Sequence, residues 1–195
     1  MLELNADLFT LLNAEQHVGG RKRVVYGQGG MQAYEIENVE GQLGFRLPED
    51  FKFLLMNVKD DGGVLFPWAK FSKYEYDESI KWIFGGIEFD IENNGFWLED
   101  RWGPRPAELP ARLDIVRRDF ASWPKLVPVY GHRFLAAEPC MPGNPVFSIM
   151  QTDIIYYGAN LAHYLVHEFI PGEAHAAHTS PINIRKIDVW DELTG

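Results

Sequence analysis

The stretch from Ile36 to Phe51, IENVEGQLGFRLPEDF, constrains the fold more than any other part of this chain. Ile36, Val39 and Leu43 recur at helical spacing and predict an amphipathic helix with one buried stripe. Gly44 follows, and glycine enters the left-handed stop that other residues resist. Leu47-Pro48-Glu49-Asp50 announces a second helix. Pro48 lacks an N–H that the first turn leaves unused, and Glu49 and Asp50 meet the positive end of the helix dipole. Phe51, Leu54 and Leu55 continue its apolar face, with fraying expected near Asn57 and an end before Gly62-Gly63.

This pattern resembles the SMI1/KNR4 (SUKH) superfamily, whose helical opening reads roughly I-x3-E-x2-LG-x2-LP-x-DF-x2-LL. Ile36, Glu40, Leu43, Gly44, Leu47, Pro48, Asp50, Phe51, Leu54 and Leu55 carry the match. A second stretch looks like the family's closing portion: Asn144-Pro145-Val146-Phe147-Ser148, then Asp153 to Gly158, then Leu161, Tyr164, Leu165 and Glu168. The two anchors bracket Ile36 to about Phe169. One departure is Asp61-Gly62-Gly63, where the family usually carries an Asn-Gly-Gly-like turn. Residues 1–33 have no counterpart in that pattern. At 195 residues one domain over 1–195 is the expectation; the resemblance gives it an SMI1/KNR4-like core at about 34–170, and the flanks are an N-terminal helix and arm at 1–33 and a tail at 171–195.

Hydropathy along the rest of the chain predicts an α+β fold: N-terminal helices packed against a mainly antiparallel twisted sheet, with further helices toward the C-terminus. Leu2 to His17 reads as an amphipathic helix closed by Gly19-Gly20, followed by Arg21-Lys22-Arg23 and an extended Val24-Val25-Tyr26. Val64 to Trp68, Ile80 to Phe84, Ile87 to Ile91 and Phe96 to Leu98 read as short strands. Gly85-Gly86 and Asn93-Asn94-Gly95 read as their hairpin turns. Ile87, Phe89 and Ile91 alternate with Glu88, Asp90 and Glu92, which on a strand would put a carboxylate row outward. Beyond Pro104, Pro106 and Pro110, Leu113, Val116 and Phe120 predict a helix. Leu126 to Tyr130, Arg133 to Ala136, Val146 to Met150 and Asp153 to Tyr157 predict a second group of strands, with Gln151-Thr152 as the last tight turn. Asn160 is suited to cap a helix reaching about Ile170, and Ile187, Trp190 and Leu193 suit a last short one.

With 28 acidic and 18 basic residues and a net charge of −10, the chain lacks the basic excess that nucleic-acid binding needs. No apolar run approaches the roughly 20 residues of a bilayer span. The acidic N-terminus is unlike a signal peptide, so the cytoplasm is the expected location. Cys140 stands alone and excludes an internal disulfide.

Chemistry has few footholds. His163 and His167 are spaced to share a helix face and could hold zinc with His175 or His178 from the tail, but the order is not H-E-x2-H. Cys140 with His132 suggests a nucleophile and base, in a proline-flanked loop that would not activate the thiol. The expectation is therefore no catalytic residue, metal or cofactor. For bacterial members, the resemblance implies a cytoplasmic immunity protein that occludes a cognate toxin, such as a nuclease with a basic cleft. It leaves two competitors: a regulatory module for a non-toxin partner, and a metal-dependent enzyme using His163 and His167. The partner-binding residues expected are the Glu88, Asp90 and Glu92 row with Trp97, Glu99 and Asp100, an exposed aromatic beside acids. Oligomeric state is left open.

Overall fold

The strands from Leu126 onward carry apolar residues at successive positions, and a strand apolar on both sides must be covered on both faces. The computed structural model describes residues 3–15, 24–27, 29–60, 64–170 and 183–194. Among these, eight α-helices and two antiparallel sheets make an α+β fold. The larger sheet runs β3 (Leu126–Tyr130), β4 (Arg133–Ala136), β5 (Val146–Met150) and β6 (Asp153–Gly158), in that spatial order. Val127 pairs with Leu135, Phe134 with Phe147 and Ile149 with Ile154. The smaller sheet pairs β1 (Val25–Tyr26) with β2 (Val58–Lys59).

One face of the large sheet packs against the N-terminal helices α1 (Ala6–Glu15), α2 (Ala33–Leu43) and α3 (Glu49–Met56), together with α7 (Leu161–Phe169). Leu8 and Leu12, Ile36 and Val39, Phe51 and Leu54, Tyr164 and Leu165 join Val127, Val129, Leu135 and Val146 in one core cluster. The family-like motif builds this layer. Gly44 ends α2 at φ 79°, and Glu40 Oε1 accepts from Leu47 N–H at 2.7 Å while lying 3.3 Å from Lys52 Nζ. Asp50 Oδ2 accepts from Gly143 N–H at 2.9 Å, tying α3 to the loop before β5. Asn160 caps α7 by accepting from His163 N–H at 2.8 Å.

The other face is covered by α4 (Lys73–Asn93), α6 (Leu109–Phe120) and α8 (Asp188–Glu192), with the single turn α5 (Glu99–Trp102) beside them. Ile83, Ile87, Ile91, Val116 and Trp190 meet Leu126, Phe134, Phe147, Ile149 and Ile154.

This layer departs from the sequence reading. Ile80–Phe84 and Ile87–Ile91 are not two strands around a Gly85-Gly86 turn; both lie in the 21-residue helix α4. Ile80, Ile83, Ile87 and Ile91 also recur every three or four residues, and that periodicity prevails because the sheet face needs a long cover. Ser72 starts α4 by accepting from Glu75 N–H at 3.4 Å. The predicted strands Val64–Trp68 and Phe96–Leu98 are connecting segments, although Phe66 N–H donates to Val129 O at 2.9 Å and shields the β3 edge. The predicted turns at Gly19-Gly20 and Asp61-Gly62-Gly63 and the basic run Arg21-Lys22-Arg23 lie outside the described residues.

Gly86 has a packing reason to be glycine inside a helix: a Cβ there would come within 2.8 Å of Gln151 Cα, in the β5–β6 turn. Gly85 faces open space, with nothing within 4 Å of such a Cβ. The two neighbours should respond oppositely. Gly85→Ala is expected to stabilise the fold by about 0.5–1 kcal/mol through helix propensity. Gly86→Ala is expected to lose roughly 1–3 kcal/mol because backbone must shift. Urea unfolding of the two variants checks this, and equal shifts would contradict the α4–turn contact.

Candidate interaction surface

Helix α4 uses one side on the sheet and presents the other to solvent. Its buried side is Tyr76, Ile83, Ile87, Asp90 and Ile91. At 100° per residue, Tyr74, Glu78, Trp82, Gly85, Phe89 and Glu92 fall on the opposite side. Tyr74 is 71% exposed, Trp82 46% and Phe89 48%. These three aromatics therefore form a solvent-facing ridge along one helix.

Trp82 differs from the other five tryptophans in how its N–H is used. Trp68 donates to Pro128 O, Trp97 to Gly103 O and Trp190 to Pro124 O. Trp102 and Trp123 both donate to Asp119 Oδ2, at 2.9 and 2.8 Å. Trp82 donates to no group among the described residues. A large exposed indole with an unused donor suits an interface, where the ring is covered and the N–H finds a partner.

Placed on a helix, the expected carboxylate row comes apart. Residues two apart project about 200° from each other, so Asp90 turns to the sheet, away from Glu88 and Glu92, which lie four apart. Asp90 is 4% exposed and tied to the sheet: its Oδ2 accepts from Thr152 N–H at 2.9 Å and Thr152 Oγ1 at 2.6 Å, and its Oδ1 from Asn94 Nδ2 at 2.5 Å. Burial raises the cost of its charge, but these hydrogen bonds outweigh it and hold the carboxyl below the usual range. Asp90 is thus a fastening between α4 and the β5–β6 turn, one helical turn on from Gly86. Glu88 pairs with Arg117 of α6 at 2.8 Å. Glu92 is exposed, as are Glu99 and Asp100 in the first turn of α5. Trp97 is half-buried, edge-on to Trp102 with ring centroids 5.0 Å apart. Sequence reasoning passed over Trp82 and Phe89; the signal for them was their spacing with Gly85, three and four residues apart.

A second carboxylate organises the surrounding aromatics. Asp119 accepts from Arg101 Nε at 2.5 Å, Arg101 Nη2 at 3.1 Å and the Trp102 and Trp123 indoles. Trp123 then stands at 90° to Trp190, 5.1 Å between centroids, which joins α8 to the same cluster. Against the opposing effect of burial, these donors hold Asp119 below its ordinary pKa.

Three of the candidate catalytic groups, His163, His167 and Cys140, bond to the backbone. His163 Nδ1 accepts from Ala159 N–H at 3.3 Å. His167 donates from Nδ1 to Tyr157 O at 2.9 Å and stacks on the Tyr157 ring with centroids 4.4 Å apart, and Arg133 Cζ lies 3.8 Å from the centroid of the same ring. His175 and His178 lie outside the described residues. No group of three His, Cys, Asp or Glu side chains among the described residues is arranged to hold a metal. Cys140 donates its Sγ–H to Leu47 O at 3.5 Å, and strand β4, roughly 13 Å of extended chain, separates it from His132. A cavity of about 460 Å³ is lined by Glu3, Leu4, Asp50, Phe53, Gly143 and Asn160, but Asp50 is committed there to Gly143 and Phe51 N–H groups. No helix among the described residues is long and apolar enough to cross a membrane.

Comparison with known proteins adds no relative: no family model, curated protein or solved structure matches this chain.

Asp119 gives the fold a defined acid sensitivity. Its native pKa is depressed, so its stabilisation is present above the unfolded value near 3.9 and is lost as pH falls through the lower native value. Asp119→Asn should cost about 2 kcal/mol at neutral pH, because a neutral amide cannot satisfy both indoles and the guanidinium. It should also flatten the fall of melting temperature below pH 4. An unchanged acid limb, followed by near-ultraviolet circular dichroism, would remove Asp119 from that role.

Proposed function

We propose that this protein is a non-catalytic protein-binding domain, an immunity protein that neutralises a cognate toxin in the cytoplasm by covering its active site. The observation that carries this reading is Trp82: it is the tryptophan whose N–H meets no group among the described residues, and it lies on an exposed helix face between Tyr74 and Phe89. Cys140, His163 and His167 are engaged with backbone groups. The net charge of −10 favours a basic partner. A toxin acting on nucleic acid offers such a surface, and opposite potentials would steer its approach. The resemblance of the Ile36–Phe51 and Asn144–Glu168 stretches to SUKH proteins supports the same reading.

Of the acids expected at the interface, Glu92, Glu99 and Asp100 are available to a partner. Glu88 contributes only with its Arg117 pair intact, and Asp90 contributes by holding α4 in place. The regulatory-module reading uses the same surface with a different partner, so the protein encoded beside this one separates the two. Co-expression with a neighbouring toxin gene should restore growth, and the purified pair should associate in calorimetry. Replacing Glu92, Glu99 and Asp100 together by Lys should slow association about 10- to 100-fold at low salt and flatten its salt dependence. A neighbouring product that is not toxic, or that does not bind, would end the immunity reading.

A further inference from the structure

The solvent face of α4 has the shape and charge to receive a helix. A helix of 21 residues is about 31 Å long. Along it, Trp82 and Phe89 lie seven residues apart and Gly85 lies between them, with open space where a Cβ would point. Two aromatic projections with a glycine gap give a ridge and a hole, the relief into which side chains of a second helix interdigitate. The only bases on α4 are Lys73 and Lys81, which pair with Asp77 and Glu78. Glu75 and Glu92, both exposed, remain uncompensated on the helix itself. A second copy of this chain would bring like charges together, and an anionic lipid surface would be repelled in the same way.

We propose that this face docks a basic amphipathic helix of the partner, seating an apolar side chain over Gly85 between Trp82 and Phe89. The proposal rests on the protein-binding reading and adds the partner's chemistry and register. Gly85 marks the contact because its side-chain space is empty in the free protein. A larger residue there costs the free fold nothing and obstructs the docked one.

The test uses two synthetic 20-residue helical peptides with leucine on one face, one with lysine and one with glutamate on the other. Each is titrated by calorimetry into the full chain at low salt. The lysine peptide should bind and the glutamate peptide should not. Gly85→Gln and Trp82→Ala should each weaken binding at least about tenfold. Gly41→Gln, on the exposed face of α2 where a Cβ also meets nothing within 4 Å, should bind like the wild type. Melting temperatures confirm that the variants are folded. No heat with the lysine peptide, or equal binding by Gly85→Gln, overturns the proposal. So does self-association in gel filtration that Gly85→Gln abolishes, which would assign the face to a second copy. The toxin reading fails separately: a basic non-toxic partner passes here and fails the growth assay.

Discussion

A four-stranded sheet buried on both faces makes a demand that the rest of this molecule answers. Leu126, Val127 and Val129 on β3 and Phe134, Leu135 and Ala136 on β4 are buried, so neither face can be left to water. Two covers are required, and each must bring its own apolar stripe. The N-terminal helices with α7 form one; α4, α6 and α8 form the other. Burial of each large apolar side chain contributes about 1.5–3 kcal/mol, which makes this double cover the dominant stabilising term. The second cover needs an apolar stripe on one side, and as one helix the Ile80–Ile91 region gathers Ile80, Ile83, Ile87 and Ile91 onto it, despite a local alternation that suits strands.

How much of this was legible depended on whether one periodicity dominated. At Ile36–Phe51 the stripe, the Gly44 stop and the Pro48 start all agree, and the structure places α2 and α3 there. The four strands from Leu126 to Gly158 were legible for the same reason, down to the Gln151-Thr152 turn, where Gln151 adopts φ 58°. At Ile80–Ile91 two signals competed. Ile87, Phe89 and Ile91 alternate, while Ile80, Ile83, Ile87 and Ile91 follow the helix, and Gly85-Gly86 tipped the reading toward a hairpin. Gly86 is instead glycine because Gln151 packs against it, a tertiary cause that no local pattern records. The misplaced carboxylate row followed directly from that choice of period.

The residues that carry the family resemblance have structural tasks in this chain. Glu40 bridges α2 to Leu47 and Lys52, Asp50 holds Gly143, and Leu47 and Phe51 are buried. Gly158 lies where a Cβ would press within 2.5 Å of Tyr164 Cβ, so the Tyr157-Gly158 pair sets how closely α7 approaches β6. Such residues specify an architecture and say little about what it binds. Function has to be sought where the structure does not consume its side chains, and α4 is where that happens on the largest scale.

Moving the acids from a strand to a helix also changes how a partner is recognised. A strand row would place carboxylates about 7 Å apart in a line, close to the spacing of phosphates along a nucleic acid strand. On α4, Glu75 and Glu78 sit about one turn apart, and Glu92 lies some 21 Å further along. Under the protein-binding proposal, that distribution would steer a basic partner without imitating a phosphate backbone. Contact strength must then come from apolar area, and Trp82 and Phe89 are rigid aromatics with few torsions to freeze. Their helix is pinned through Asp90 to Thr152 and through Gly86 to the same turn, so the ridge is held in one position before any partner arrives. Fixing the scaffold in advance lowers the ordering cost of binding, and it makes the sheet's own hairpin part of the apparatus that presents the surface.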